Sequence, residues 1–231
     1  MSPANDGMER ARRPWFRDHG LLLANLILFA IFFGGMILSG AAAYDADQVR
    51  HGQPATGLLA YLASSDFVEA TFENWESEFL QMGAYVVLTA HLFMRGSSES
   101  KPSDQAAEQD EDPAGHRDDP DAPWPVRRGG WWLWVYERSL AILFGVLFFG
   151  SMLAHALGGS AAYNEVLSEH GLPELSWWAY LGTAQFWFES FQNWQSEFLA
   201  VAVIVGASVY LRHRGSAESK PVAAPHSATG G

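Results

Sequence analysis

The chain has 231 residues, a net charge of −12 and no cysteine. The lack of cysteine excludes disulfides, thiolate catalysis and cysteine-based metal centres. With this acidic balance there is no basic stripe to bind phosphates, so we expect no nucleic-acid partner. The apolar residues gather into four blocks, whereas polar residues dominate the tails and a central linker. This pattern predicts an all-α protein that crosses a membrane several times.

Residues 1–14 are polar and basic and are predicted to form a cytoplasmic tail. The uncharged run 21–43 is the first predicted span, because about 20 apolar residues cross a bilayer. Arg12 and Arg13 leave a cleaved export signal as the alternative. The run is longer than a signal core of about 7–15 residues, and a matching apolar run, 139–162, lies in mid-chain. We therefore interpret 21–43 as a membrane span.

The first span leads through a Gly- and Pro-containing turn to a short apolar piece, 58–62. Its length is too small to cross a bilayer and its aromatic content suits the membrane interface. Residues 67–94 then predict one long helix whose span is about 75–94. Together these elements form a first membrane hairpin, residues 15–102.

The acidic segment 103–129 has no apolar periodicity and is predicted to be a disordered cytoplasmic linker. A second membrane hairpin is predicted at 130–221, with spans at about 139–162 and 194–212, and a disordered tail at 222–231. Trp131 and Trp132 open this hairpin and are expected to anchor it at the membrane interface.

The second hairpin repeats the first. The run from Asn74 to Leu80 reads NWESEFL and returns from Asn193 to Leu199 as NWQSEFL, at an offset of 119 residues. The same offset aligns 15–102 with 134–221 without a gap. Two spans in each copy give both copies the same orientation, so we expect parallel repeats related by an axis along the membrane normal.

The distribution of basic residues predicts the orientation. Of the 14 Lys and Arg residues, only Arg50 lies in a hairpin loop. Lys and Arg near span ends stay in the cytoplasm. Both termini and the linker are therefore predicted to be cytoplasmic, and both hairpin loops to lie outside.

The repeated motif supplies the candidate polar or ion site. On a helix the motif's Asn, Ser and Glu share one face, just below a Trp expected to anchor at the interface. The candidates are Asn74, Ser77, Glu78, Asn193, Ser196 and Glu197, with Trp75 and Trp194 as anchors. Carboxylates at a span are functional candidates. They are expected either to bind a cation, proton or polar substrate, or only to join neighbouring helices.

Other polar residues are weaker candidates. Glu69, Glu73 and Glu76 have no acidic counterpart in the second copy, as expected for a solvated face. His91 and His155 lie at different predicted depths and cannot sandwich one haem. Because metal-ligand spacings and catalytic motifs do not occur, we predict no metal, no cofactor and no enzymatic activity.

The opening run from Trp15 to Leu21, the exit from Ser39 to Tyr44 and the paired NWxSEF motifs resemble a family of bacterial integral membrane proteins known only as a domain of unknown function. The resemblance covers about 15–102 and 130–221. It implies a bacterial inner-membrane location and four spans, but no activity, substrate or site residues. The second copy departs from the first at Val135–Ser139.

Together these patterns predict a multi-pass inner-membrane protein with two tandem hairpins. Its first predicted role is that of a structural or partner-binding membrane component. The alternative is an ion- or proton-linked channel or carrier that uses the paired Asn and Glu residues. The lipid bilayer is one expected partner, and the others are a second copy of the chain or another membrane protein.

Overall fold

A computed structural model describes residues 15–103 and 107–230. The described residues form helices and turns, with no strand among them. The α-helices are α1 Trp15–Asp18, α2 Gly20–Arg50, α3 Leu58–Leu62, α4 Ser65–His91, α5 Trp124–Arg128, α6 Gly130–Glu137, α7 Ser139–Glu169, α8 Trp177–Tyr180 and α9 Ala184–Ala207. The predicted all-helical class is confirmed. The chain divides into two units, Met1–Phe67 and Val68–Gly231.

In the first unit, α2 and α3 form a hairpin held at two points. Gly40 has no side chain, and the hydroxyl of Tyr61 occupies the space that a Cβ would need. The Tyr61 ring packs against Tyr44 at 5.8 Å between centroids. In the last turns of α2, the Asp45 carboxylate accepts the backbone N–H groups of Thr56 and Gly57, at 2.8 and 3.0 Å. These contacts return the chain from the long helix to α3.

In the second unit, α7 and α8 form a hairpin with the same local contacts. A Cβ at Gly159 would lie 2.8 Å from the Tyr180 hydroxyl, and the Tyr180 ring packs against Tyr163 at 5.6 Å. Asn164 takes the place of the capping carboxylate, donating to the carbonyl of Leu175 and accepting its N–H, both at 2.8 Å. Each of Gly159, Tyr163, Asn164 and Tyr180 lies 119 residues after its counterpart in the first hairpin.

The second unit also brings α4 and α9 against α7. At Gly158 an added Cβ would lie 2.8 Å from Val68 Cγ1 and 2.9 Å from the backbone nitrogen of Glu69. The glycine therefore lets the α4 backbone approach α7 directly. The small apolar core beside this contact contains Ala156, Tyr180 and Phe186.

Among the described residues, two helices, Gly20–Arg50 and Ser139–Glu169, are long and apolar enough to cross a membrane. They contain the predicted spans 21–43 and 139–162. α4 and α9 are less apolar than these two helices, because their amino-terminal halves contain many carboxylates, amides and hydroxyls. They end at His91 and Ala207, before the predicted span ends at 94 and 212. Length and composition therefore identify two candidate spans and not four.

The remaining predicted segments lie partly outside the described residues. This applies to the tail 1–14, to residues 104–106 of the linker and to Gly231. Within 103–129 the structure has short helices at Glu108–Asp110, Pro113–His116 and Trp124–Arg128. Such short helices are marginal in isolation, and the disorder of the linker and of 222–231 in solution stays a prediction.

Candidate functional site

A buried polar cluster lies where α4, α7 and α9 meet. On α4, Glu69, Glu73 and Glu76 are spaced i, i+4 and i+7 and share one face. On α9, Glu189 and Asn193 are one turn apart. Each of these two helices presents its polar face to the cluster, and α7 contributes His155.

His155 of α7 and Glu76 of α4 form the centre of the cluster. His155 Nδ1 lies 2.8 Å from Glu76 Oε2, and both side chains have 0% relative exposure. The other oxygen of Glu76 accepts the Ser190 hydroxyl at 3.2 Å and the Trp194 indole N–H at 3.1 Å. Since a carboxylate accepts hydrogen bonds, we assign the Nδ1 proton to the imidazole.

The second ring nitrogen of His155 faces α9. Nε2 lies 3.3 Å from Glu189 Oε2, and the Glu189 side chain is 10% exposed. The same carboxylate accepts the Tyr180 hydroxyl and, at 2.6 Å, the Gln185 amide. Phe186 covers the imidazole, with its ring stacked at 4.9 Å. Glu189 and Phe186 thus contact the histidine, and Tyr180 and Gln185 hold Glu189 in place.

Burial and hydrogen bonding shift the pKa values of the groups that lie outside the predicted spans. Burial raises the pKa of Tyr180, and its bond to Glu189 raises it further. For Glu189, burial opposes ionisation, but hydrogen bonds from His155, Tyr180 and Gln185 outweigh it and lower the pKa. Glu189 is therefore a carboxylate at neutral pH, and Tyr180 is its neutral donor.

Glu73 lies on the same face of α4. Its Oε1 accepts the side-chain amides of Asn193 at 2.6 Å and Gln192 at 3.1 Å. Burial raises its pKa and outweighs these hydrogen bonds, which lower it. Glu73 therefore adds a further carboxyl to a site that already contains two.

The cluster contains more acidic than basic groups. Glu69, Glu73, Glu76 and Glu189 accompany the single imidazole of His155, and the ligand atoms of Glu69, His155 and Glu189 all lie within 4.8 Å of one another. Buried charges are costly unless they are paired or bind a cation. The arrangement can therefore bind a cation between carboxylate oxygens and an imidazole nitrogen.

The residues predicted from the repeated motif lie elsewhere on these helices. Asn74 and Glu78 are exposed, and Asn74 donates to the carbonyl of Ala70 in its own helix. Ser77 is buried, but its hydroxyl likewise donates within α4. Ser196 is exposed and donates to the carbonyl of Asn193.

Contacts between the two motif copies are therefore limited. Asn193 reaches α4 through Glu73. The charges of Glu78 and Glu197 repel each other, while the backbone carbonyl of Glu197 accepts the Gln81 amide at 2.9 Å. The structure thus brings Asn193 alone of the six into the buried cluster, and the paired-motif site stays a prediction.

Of the four tryptophans predicted to anchor the chain at the membrane interface, one belongs to the buried cluster. Trp131 and Trp132 are 67% and 52% exposed. Trp75 packs edge-to-face against Phe72 and Phe79. Trp194, in contrast, points inward and donates to Glu76. It is a member of the buried cluster.

Sequence reasoning favoured residues shared by both copies. It therefore ranked Glu76 and His155 as weaker candidates and did not name Glu189, and its expectation of a solvated face at Glu76 is wrong, since Glu76 is buried. The positions 119 residues away from these three residues are occupied by Gln195, Met36 and Ala70 respectively. The signal that could have found them is a charged residue or a histidine that is present in one copy and absent from the other. His155 inside an otherwise apolar span was the clearest instance.

A model of one protein family matches residues 12–231, almost the whole chain, and its description is a domain of unknown function. No curated protein and no solved structure matches the chain.

Proposed function

Since the chain belongs to this family, described as Domain of unknown function (DUF6766), we propose that it is an integral membrane protein that carries a cation through a polar site between its helices. The observation on which the proposal depends is the buried contact of His155 with Glu76 and Glu189. Ionisable residues inside membrane proteins are costly, face the protein interior and mark ion or proton pathways.

The proposed architecture has four membrane-embedded helices in two tandem, parallel hairpins. α2 and α7 are the apolar spans, and α4 and α9 complete the hairpins with their apolar carboxyl-terminal halves. Two observations support a duplicated plan: Gly40 and Gly159 each face a tyrosine hydroxyl, and Asp45 and Asn164 each cap a returning loop.

We propose a bacterial inner-membrane location with both termini and the linker in the cytoplasm. Only one basic residue, Arg50, lies in a hairpin loop. In this orientation Glu76, which follows Trp75, lies near the outer end of α4. A cation would enter the cluster from the outer side, where the cost of burying charge is below the roughly 2.5–3.5 kcal/mol of the bilayer centre.

The proposal is tested with purified protein in liposomes. Uptake of protons, Na⁺, K⁺ and divalent cations is measured with ion-sensitive dyes trapped inside the vesicles. We expect uptake of at least one cation by the wild type and its loss in Glu189→Gln. Glu174→Gln changes an exposed loop carboxylate and is the matched control. Absence of uptake of every cation by correctly folded wild-type protein would overturn the transport proposal.

A structural or partner-binding role is the second candidate, and one observation favours it. The polar contacts of Glu76 and Glu73 join α4 to α7 and α9, as expected of side chains that hold membrane helices together. The partner would be a second copy of the chain or another membrane protein. In this case Glu189→Gln would lower thermal stability, and co-purification from native membranes would recover a stoichiometric partner, without ion uptake.

A further inference from the structure

We propose that Glu69, His155 and Glu189 bind one divalent transition-metal ion of the zinc class, and that Glu76 positions the imidazole for it. This inference rests on the proposed function, because it names the cation of the same site. The contacts around His155 lead to it in three steps.

The first step is the orientation of the imidazole. Glu76 Oε2 accepts the Nδ1 proton at 2.8 Å, and Ser190 and Trp194 occupy the other Glu76 oxygen. When an ion replaces the Nε2 proton, an imidazole held in this way has its Nε2 lone pair directed away from Glu76. Metal-binding histidines show this arrangement, in which a carboxylate fixes the tautomer and raises the basicity of the ligating nitrogen.

The second step is the separation of Nε2 from Glu189. His155 Nε2 and Glu189 Oε2 face each other at 3.3 Å, and an ion bound between them would displace the Nε2 proton that joins them in its absence. A charge-assisted N–H···O bond is shorter, at about 2.7–2.9 Å. Two ligands of one tetrahedral ion, each about 2.0–2.2 Å from the metal, lie about 3.4 Å apart. The observed distance of 3.3 Å therefore matches the separation of two ligands of one ion.

The third ligand comes from the close approach of α4 and α7. Gly158 lies three residues after His155 on α7. Because it has no side chain, the backbone of Glu69 can approach α7 at this point. The ligating atoms of Glu69, His155 and Glu189 lie within 4.8 Å of one another. Glu69 is therefore the third ligand of the set. A fourth position is left for water or an exchanging ligand, as in open zinc sites.

Charge and ligand chemistry select the class of ion. Glu76 and Glu189 contact the imidazole, and the half-buried Glu69 and Glu73 lie on the same face of α4 as Glu76, so a divalent cation lowers the net negative charge of the site. The ligand set mixes one nitrogen with carboxylate oxygens and includes no thiolate. Imidazole favours Zn²⁺ and its first-row neighbours over Mg²⁺ and Ca²⁺, and the lack of sulfur disfavours Cu⁺.

The test uses the full chain, purified in detergent and treated with EDTA, with Co²⁺ as the spectroscopic probe. We expect one Co²⁺ per chain, visible absorption bands characteristic of low coordination number, and displacement of the bands by Zn²⁺. His155→Ala should abolish the bands. Glu76→Gln, which keeps the shape and the acceptor oxygen beside Nδ1, should weaken Co²⁺ affinity by about 10–100-fold.

Two exposed replacements, His213→Ala and Glu174→Gln, are the matched controls and should bind as the wild type does. Circular dichroism and gel filtration establish that each variant is folded. Absence of Co²⁺ binding by folded wild type would overturn the inference, and so would unchanged binding by folded Glu76→Gln and Glu189→Gln.

The two proposals fail in different ways. Stoichiometric Co²⁺ binding without ion uptake in liposomes would support the metal site and overturn the carrier. Proton or Na⁺ uptake by a protein that binds no Co²⁺ would overturn the metal site and leave the carrier standing.

Discussion

His155 and Glu76 are 79 positions apart in the sequence, yet His155 Nδ1 lies 2.8 Å from Glu76 Oε2. Neither side chain is exposed. A buried charge pair is weak evidence for stability, because desolvation can exceed the Coulombic gain. The surrounding donors matter more here. Ser190 and Trp194 donate hydrogen bonds to the second oxygen of Glu76 and so fix its carboxylate. The carboxylate in turn holds His155 with Nε2 directed at Glu189.

The close contact of α4 with α7 predicts that Gly158→Ala is destabilising. The new methyl group would lie 2.8 Å from Val68 Cγ1 and 2.9 Å from the Glu69 backbone nitrogen, and backbone cannot move aside as a flexible side chain can. Overpacking of this kind costs about 1–3 kcal/mol. The free energy of unfolding in detergent, measured by denaturant titration, should fall by that amount.

Gly145→Ala on the same helix is the control. No heavy atom lies within 4 Å of its added Cβ, and alanine is favoured over glycine in helices by about 1 kcal/mol. This variant should be neutral or slightly stabilised. Equal stability of the two variants would contradict the packing of α4 on α7.

Tyr180→Phe removes the hydroxyl that donates to Glu189. Hydrogen bonds to charged groups contribute about 1.5–3 kcal/mol, so the free energy of unfolding should fall by about that much. Tyr136→Phe, at a tyrosine that is 45% exposed, should change it by less than about 0.5 kcal/mol. A Tyr180→Phe variant as stable as the wild type would show that Glu189 does not depend on this donor.

Glu73 predicts a dependence of stability on pH. Burial raises its pKa above the ordinary value of 4.5, against hydrogen bonds from Gln192 and Asn193 and the charge of His155, while the charge of Glu189 raises it further. A carboxyl with a raised folded pKa stabilises the fold below its unfolded pKa. That contribution is lost as the pH rises through the folded pKa.

Glu73→Gln is neutral at every pH and keeps an oxygen for the two amide donors. Its thermal midpoint should therefore exceed that of the wild type at about pH 8, and the difference should shrink towards about pH 4. A wild type that gains stability relative to this variant on going to alkaline pH would reverse the sign and refute the assignment.

Membrane topology is testable by labelling, because the native chain has no cysteine. Single replacements Glu174→Cys in the second hairpin loop and Ala114→Cys in the linker supply one thiol each. In intact cells a membrane-impermeant maleimide should label the first and not the second, and permeabilisation should expose both. Labelling of both thiols in intact cells would rule out the proposed orientation.

The positions of the helices in the first half of the chain follow closely from the sequence. The predicted piece 58–62 is α3, and the predicted long helix 67–94 corresponds to α4, Ser65–His91. Helix α2 continues past the apolar run through Asp45 and Asp47 to Arg50. Apolar patterning predicts where a helix can enter lipid. Backbone hydrogen bonding, which the pattern does not measure, decides how far the helix extends.

The buried cluster does not follow from the repeat, for an electrostatic reason. Two identical copies bring like groups together, as the repulsion between Glu78 and Glu197 illustrates. A buried charged site needs unlike partners, and Glu76, His155 and Glu189 each occupy a position where the copies differ. Their proximity depends on the packing of three helices, which no spacing along the chain reveals.

The most direct measurement of the central claim is the thermal midpoint of the full chain with Zn²⁺ and with EDTA. An ion bound only by the folded state at about 100 times its dissociation constant stabilises by about 2.7 kcal/mol, which corresponds to a rise of about 5–10 °C for a chain of this size. We predict that rise for the wild type and none for His155→Ala. Equal midpoints in Zn²⁺ and EDTA, or the same rise in both proteins, would contradict a cation site at His155.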